Sequence, residues 1–338
     1  MRRPQSQSNA LPPSLDQAIL QALHSAGNKA VSGAELAERL GVTRAAVWAR
    51  IHELRQIGYE IVATPHIGYR LLGCPDVLHA DDLLARLGPT RRIGRDIRVF
   101  RKTSSTNDVV NRLAGDGVAE GIVVFAEGQT RGRGRMGRRW FSPSSKGLWL
   151  SVLLRPAILP SESSRLTVAG AVAVARTVAR HTRRAARIKW PNDILLDGRK
   201  TAGILNELHA ETDVVKYVVL GVGVNVNLSL RDFPQRLRPA ATSMRIAAGK
   251  RFDRAAVAVT LLRELDAVYD AILRGDFEKI AAEWRDLSCT LGREVTVEAG
   301  ARRVSGRAEA LDPNGGLVIR RDDGRAEALL SGTILEQR

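Results

Sequence analysis

Cysteine is scarce: Cys74 and Cys289 are the only two in 338 residues. They fall in no C-x-x-C or mixed Cys/His spacing, which excludes a disulfide framework and leaves two reduced structural thiols. The six histidines form no H-x-x-x-H pattern, so no metal site is expected. Long apolar runs are also missing. Even Leu166–Ala179 is interrupted by Arg176 and falls short of the roughly eighteen residues of a membrane span. Met1–Pro13 has neither an apolar core nor a cleavage-like site. Residues 1–14 therefore read as a disordered leader, not a secretory signal, and cytoplasmic residence with no membrane partner follows. Acidic residues run short, 36 against 52 Lys and Arg, and the net charge of +16 favours polyanionic or phosphorylated partners.

What the sequence does hold is a concentration of glycine and arginine between Glu127 and Phe141. Gly132, Gly134 and Gly137 let the backbone fold tightly around a ligand. Arg131, Arg133, Arg135, Arg138 and Arg139 lie among them with no acid to neutralise the run, and the guanidinium fork suits carboxylate and phosphate. The residues alone leave an anion-holding loop and a solvated basic turn both open. The dinucleotide reading of Gly132-x-Gly134-x-x-Gly137 fails, because it needs a helix next. Here Ser142-Pro143-Ser144-Ser145 and the strand-like Leu148–Leu154 follow instead. No G-x-x-x-x-G-K-S/T loop occurs either, so any nucleotide is held by other means.

Residues 15–73 read as a winged helix-turn-helix domain. Ser14 with Gln17 and Ser32 with Glu35 have capping-box spacing, and Thr43 caps a third helix. Leu40-Gly41-Val42-Thr43 is the tight turn. Tyr59–Val62 and Gly68–Leu72 form a hairpin wing around Thr64-Pro65-His66. On the third helix Arg44, Ala45, Trp48, Ala49 and His52 lie off the buried seam and are the candidates for DNA contact. A protein-interaction or purely structural module remains the alternative, with Trp48 packing against the next domain.

Residues 78–287 read as a mixed α/β domain. Ser104-Ser105-Thr106-Asn107 precedes a helix, and from the residues alone these side chains either cap it or turn toward a small polar ligand. Gly121–Ala126 is a buried strand that delivers the glycine-arginine loop. Ile188–Leu196 is expected as one strand that turns at Asp197-Gly198 into Arg199–Leu205. Asp213–Val224 is a strand ending in Gly221-Val222-Gly223, which admits a ligand close to the backbone. Two amphipathic helices follow, from Asp253 and from Phe277. Residues 288–338 hold five short alternating strands in the pattern of a small barrel.

Five motifs in this order resemble the biotin–protein ligases, in particular members that double as repressors. They are Ser105-Thr106-Asn107, Gln129-x-x-Gly132-Arg133-Gly134-Arg135-x-Gly137-Arg138-x-Trp140, Lys189-Trp190-Pro191-Asn192-Asp193, Lys200-x-Ala202-Gly203-Ile204-Leu205, and Gly221-x-Gly223-x-Asn225. The resemblance implies an α+β fold: a winged helix, a catalytic domain of the biotin/lipoate ligase type and a C-terminal SH3-like barrel. It also implies two half-reactions. Biotin's carboxylate attacks the α-phosphate of ATP, with Mg2+, to give biotinyl-5′-adenylate and pyrophosphate. A lysine of the acceptor, typically the biotin carboxyl carrier protein, then takes the biotinyl group.

Carried over motif by motif, Arg135, Arg133 and Lys200 are the catalytic cations. The biotin set is Ser105, Thr106, Asn107, Gln129, Arg133, Gly134, Arg135 and Lys200. Gly132, Arg138, Phe141, Asn192 and Asn225 fall where the family meets the adenylate; the roles of Lys189 and Asp193 stay open. Operator DNA and a homodimer in the ligand-bound state are the other implied partners, with biotin and ATP as substrates and no resident cofactor or metal. A lipoate ligase is the neighbouring alternative, disfavoured by the Gly-Arg-Gly-Arg and Lys-Trp-Pro-Asn-Asp stretches. Two positions depart from the family, Arg131 where a small residue is usual and Met136 where a basic one is frequent.

Overall fold

A computed structural model describes residues 13–337; the expected leader, residues 1–14, lies outside the described residues but for its last two. Three hydroxyls start the three helices of the first domain. Ser14 accepts from Gln17 N at 3.0 Å ahead of α1 (Leu15–Ala26), Ser32 from Ala34 N at 3.2 Å ahead of α2 (Gly33–Leu40), and Thr43 from Ala46 N at 3.1 Å ahead of α3 (Arg44–Gln56). Each satisfies a donor that the helix cannot. Ile19, Leu23, Leu36, Val47, Ile51 and Leu54 meet in one small core. The wing is the antiparallel pair β1 (Glu60–Thr64) and β2 (Gly68–Gly73). It is fixed to the helices where Val31 and Tyr69 exchange backbone bonds of 2.8 Å. Only glycine fits at Gly68, since its φ is +126° and a Cβ there would lie 2.2 Å from Val31 O.

A short segment leads to α4 (Ala80–Leu87) and the central domain. There β3 (Ile97–Phe100), α5 (Thr106–Gly115), β4 (Val123–Ala126), β5 (Leu148–Leu154) and α6 (Ser164–Thr182) come first. They are followed by β6 (Ala186–Lys189), β7 (Asp193–Leu196), β8 (Arg199–Glu211), β9 (Val214–Val224), α7 (Met244–Ala248), α8 (Arg254–Leu273) and α9 (Phe277–Leu287). The seven strands form one sheet in the order β3-β4-β5-β9-β8-β7-β6. Side chains alternate across it. Leu148, Leu150, Val152 and Leu154 of β5 join the core beneath α6 and α8, while Leu153 packs with Val110 of α5 on the other face. Both faces are covered, so β4 and β5 are apolar almost throughout, as the uninterrupted runs in the sequence suggested.

One expected strand is two. The chain reverses at Trp190-Pro191-Asn192, where the Trp190–Pro191 peptide is cis, and Lys189 pairs with Asp193 across the turn. Proline has no N–H to donate to a ladder, so the strand stops there. Periodicity alone, with Ile188, Ile194 and Leu196 all apolar, hid the interruption.

The C-terminal strands are β10 (Glu294–Ala299), β11 (Arg302–Leu311), β12 (Leu317–Arg320), β13 (Ala326–Leu329) and β14 (Thr333–Gln337), all antiparallel in the order β13-β12-β11-β10-β14. Val295, Val297, Leu317 and Ile319 face inward and join the main core. Among the described residues, no helix is long and apolar enough to cross a membrane.

Candidate active site

A cavity of about 300 Å³ opens on the α5 side of the sheet, over β8 and β9. One end is polar and neutral. Thr106 donates from its N at 2.8 Å and its hydroxyl at 3.2 Å to Gln129 Oε1, and Gln129 Nε2 donates to Ser142 Oγ at 2.9 Å. Ser151 Oγ lies 2.7 Å from Thr106 Oγ1 and 2.5 Å from Asn107 Oδ1. Asn107 is buried, and among the described residues its Nδ2 has no partner. A buried amide donor left unpaired is costly and points to an acceptor that arrives from outside. Ser105 occupies the N-cap position of α5 without a side-chain capping bond and is one of the residues lining the cavity. Of the two readings of this segment, capping is not the one its side chain follows.

Glycines shape the walls. A Cβ at Gly221 would sit 2.4 Å from Asn107 Oδ1, and one at Gly223 would sit 2.5 Å from Trp140 Nε1. Both residues of β9 are glycine because Asn107 and Trp140 press against the strand.

The other end is cationic. Arg135, Arg138, Lys189 and Lys200 all line it. Arg135 reaches only Asn192 Oδ1, at 3.4 Å, and makes no ion pair among the described residues. Burial and the neighbouring Arg138 lower its pKa, against the pull of Asp193. A half-buried guanidinium without a counter-ion has the chemistry to bind phosphate or carboxylate. Lys200 is in contact with Asp193 and lies 5.2 Å from the centre of the Trp140 ring. Asn192 Nδ2 donates to Ile204 O at 2.6 Å and Asn225 Nδ2 to Thr242 O at 3.0 Å, which orients both amides. Phe141 and Gly134 complete this wall.

Two expected residues behave otherwise. Arg133 lines the cavity, but its guanidinium contacts Asp108 and donates to both oxygens of Glu207 at 3.1 Å. In this arrangement two carboxylates balance its charge and tie the loop to α5 and β8. Gly132 is not part of the lining. It is the point where the loop's two arms close up, since a Cβ there would lie 2.5 Å from Trp140 O.

Motif reading assigned no role to Trp140 and placed no residue of the expected C-terminal barrel at the site. Gly332, Thr333 and Ile334 line the cavity. Thr333 Oγ1 lies 3.4 Å from Arg138 Nη2 and 3.2 Å from Met136 Sδ at the tip of the loop. Met136, one of the two loop positions that depart from the expected pattern, is in the left-handed region at φ 54°.

The third helix presents its expected face. Arg44, Ala45 and His52 are exposed, Ala49 half-exposed, and Trp48 is 59% exposed and stacked on His52. Trp48 therefore does not pack against the catalytic domain. Arg50 is turned away, bound to Asp16 and Glu53.

His24 of α1, Cys74 just after β2 and Asp82 of α4 bring one ligand-type atom each within 4.8 Å, a grouping no spacing rule reveals. Arg86 already donates to His24 at 3.3 Å and pairs with Asp82 at 2.9 Å. Burial pushes the Cys74 thiol up to about 11. A guanidinium stands where a cation would go.

The same architecture occurs in known proteins. Family profiles match residues 99–225 (Biotin/lipoate A/B protein ligase family), 16–70 (HTH domain) and 290–335 (Biotin protein ligase C terminal domain). The bifunctional ligase/repressor BirA of Bacillus subtilis is 36% identical over 306 residues, 90% of this chain and 94% of that one. The chain belongs to the biotin–protein ligase family. BirA of Escherichia coli is 31% identical over 86% of this chain and 88% of its own. Among solved structures, the biotin protein ligase from Aquifex aeolicus in complex with biotin and ATP superposes with a TM-score of 0.62 at 28% identity, covering 72% of this chain and 98% of that one. All three parts of the chain are thus accounted for within a family of ligases, some of whose members carry the name repressor.

Proposed function

We propose that this chain is an ATP-dependent biotin–protein ligase that forms biotinyl-5′-AMP, transfers biotin to a lysine of a biotin carboxyl carrier protein, and represses transcription in response to biotin. The observation that carries the reading is one cavity with an unpaired neutral donor, Asn107 Nδ2, at one end and an unpaired cation, Arg135, at the other. Biotin is a neutral urea joined to a carboxylate, and it matches both ends.

In the first step biotin's carboxylate oxygen bonds to the α-phosphorus of ATP and pyrophosphate leaves. Bringing two anions together needs fixed cations in a water-poor site. Arg135 and Lys200 take that part, with Arg138, Asn192, Asn225 and Phe141 holding the adenylate, and Trp140 covering the nucleotide end. Ser105, Thr106, Asn107 and Gln129 hold the urea ring, and Gly134 lets the loop close over the mixed anhydride and keep water from it. Mg2+ would accompany ATP, and Asp193, whose carboxylate also contacts Lys200, would be the residue to hold it. When bound, the ion neutralises phosphate charge. In the second step the acceptor's amine attacks the biotinyl carbonyl and AMP leaves. The winged helix binds operator DNA through Arg44, Ala45, Trp48, Ala49 and His52, as a ligand-bound homodimer on paired half-sites.

Biotin-dependent exchange between ATP and pyrophosphate tests the first step. The reading expects exchange with biotin and little with lipoate; exchange that depends on lipoate alone would assign the chain to the other branch of the family.

A further inference from the structure

The loop that closes the cavity has a root, and the root is held by an ion pair deep in the protein. Glu127 follows β4 directly and stands two residues ahead of Gln129. Its N donates to Phe100 O at 2.8 Å and its O accepts from Ser145 N at 3.1 Å, so both arms of the loop meet there. Its carboxylate accepts from Arg254 Nη2 at 2.9 and 3.1 Å. Both side chains are buried, 1% exposed for Arg254 and 6% for Glu127.

Neither partner belongs to this pair alone. Glu127 Oε1 accepts from Leu78 N at 2.7 Å, and Arg254 Nε donates to Asp76 Oδ1 at 3.0 Å. Arg254 Nη2 also bonds Asp76 O, and its Nη1 donates to Gly147 O at 3.2 Å, on the far arm of the loop. Asp76 and Leu78 lie between β2 of the winged helix and α4 of the catalytic domain. The guanidinium therefore joins the segment between the domains to both arms of the ligand loop. Its neighbour Asp253 continues the connection: Asp253 accepts from Arg86 at 2.7 Å, Arg86 pairs with Asp82, and Asp82 bonds His24 of α1 at 2.7 Å.

We propose that Arg254 is a positioning residue that ties the ligand loop to the interdomain segment, so that order in the loop and the seating of the winged helix change together. This rests on reading the loop as the ligand loop of a biotin–protein ligase. A wholly buried guanidinium that bonds several acceptors at once holds its partners in one geometry, and a displaced partner leaves an unpaired charge in the core. Movement of the segment at Asp76 is thus felt at Glu127, and by linkage a ligand that orders the loop fixes the segment.

The test starts at Asp76, which is far enough from the core, with its side chain 43% exposed, for a substitution to fold. In the full-length, ligand-free protein, amide hydrogen exchange is measured for peptides spanning residues 127–142. Asp76→Ala is expected to speed that exchange about tenfold, the scale of losing one charge-assisted hydrogen bond. Asp76→Asn retains an oxygen acceptor for Arg254 Nε and should recover most of the protection. Arg251→Ala removes the other partner of Asp76 and should leave the loop unchanged. Where the protein turns over, Asp76→Ala should raise KM for biotin about fivefold with kcat within twofold, the pattern of a lost ordering interaction away from the chemistry.

If exchange rises in residues 74–79 but not in 127–142, or rises evenly with a fall in Tm, the coupling does not exist. Absence of biotin-dependent activity in the unaltered protein sinks the ligase reading instead, and the exchange measurement still decides the coupling.

Discussion

The cavity and the joint between the domains are both rich in charge, and they treat it in opposite ways. In the cavity Lys200 meets Asp193, but Arg135 and Lys189 have no ionic partner among the described residues. At the joint Arg254 meets Glu127 and Asp76, and Arg86 meets Asp82 and Asp253. Unpaired cations near a surface opening are poised for a ligand; paired ones in the core fix a geometry. The loop shows the same contrast in three residues, since Arg133 is balanced by Asp108 and Glu207 while Arg135 is not. Counting arginines in the sequence could not separate these roles.

Substitutions separate them, beginning with the joint. Arg254→Leu leaves Glu127 buried without its counter-ion and is expected to lower stability by about 3–5 kcal/mol. Urea unfolding measures this, and a loss under about 1 kcal/mol would mean that the pair is solvated or replaceable. Arg135→Ala should slow biotin-dependent ATP–pyrophosphate exchange by roughly two to three orders of magnitude while leaving Tm nearly unchanged. An unaltered rate removes Arg135 from the chemistry. For Arg133→Ala the account expects a smaller effect, within about tenfold and mostly in KM for biotin, because the side chain holds the loop and carries no free charge. A loss as large as that of Arg135→Ala would return it to the catalytic set.

The smallest effect concerns pH. Burial works against the charge of Asp253, but Arg86 and the amides of Ala256 and Ala255 hold its pKa below the usual carboxylate value. A carboxyl depressed in the folded state stabilises fully above its unfolded pKa of about 3.9, and that contribution is lost as pH falls through the folded value. Asp253→Asn should therefore melt with a shallower fall in Tm below roughly pH 4 than the unaltered protein. Parallel curves would show that the Arg86 bond does not set the acid limb.

Most elements were legible because their signals are local. Ser14, Ser32 and Thr43 cap where capping chemistry places them, and the alternation in residues 294–337 marks strands whatever they pack against. The motifs likewise placed all the expected cavity residues except Gly132 in one wall or another. What could not be read is what depends on distant partners. Glu207 lies 74 residues beyond Arg133, and Arg254 lies 127 beyond Glu127. Thr333 reaches the loop from another domain. Trp190-Pro191 divided a strand whose apolar pattern reads as continuous. Ser105 stood in a capping position, and only the structure showed that its side chain makes no capping bond there.

Mass spectrometry of a biotin carrier domain incubated with this protein and ATP, with biotin and lipoate present together, tests the central claim most directly. The account predicts one biotinyl group on a single lysine and no lipoyl adduct. An unmodified carrier, or a lipoylated one, would contradict it.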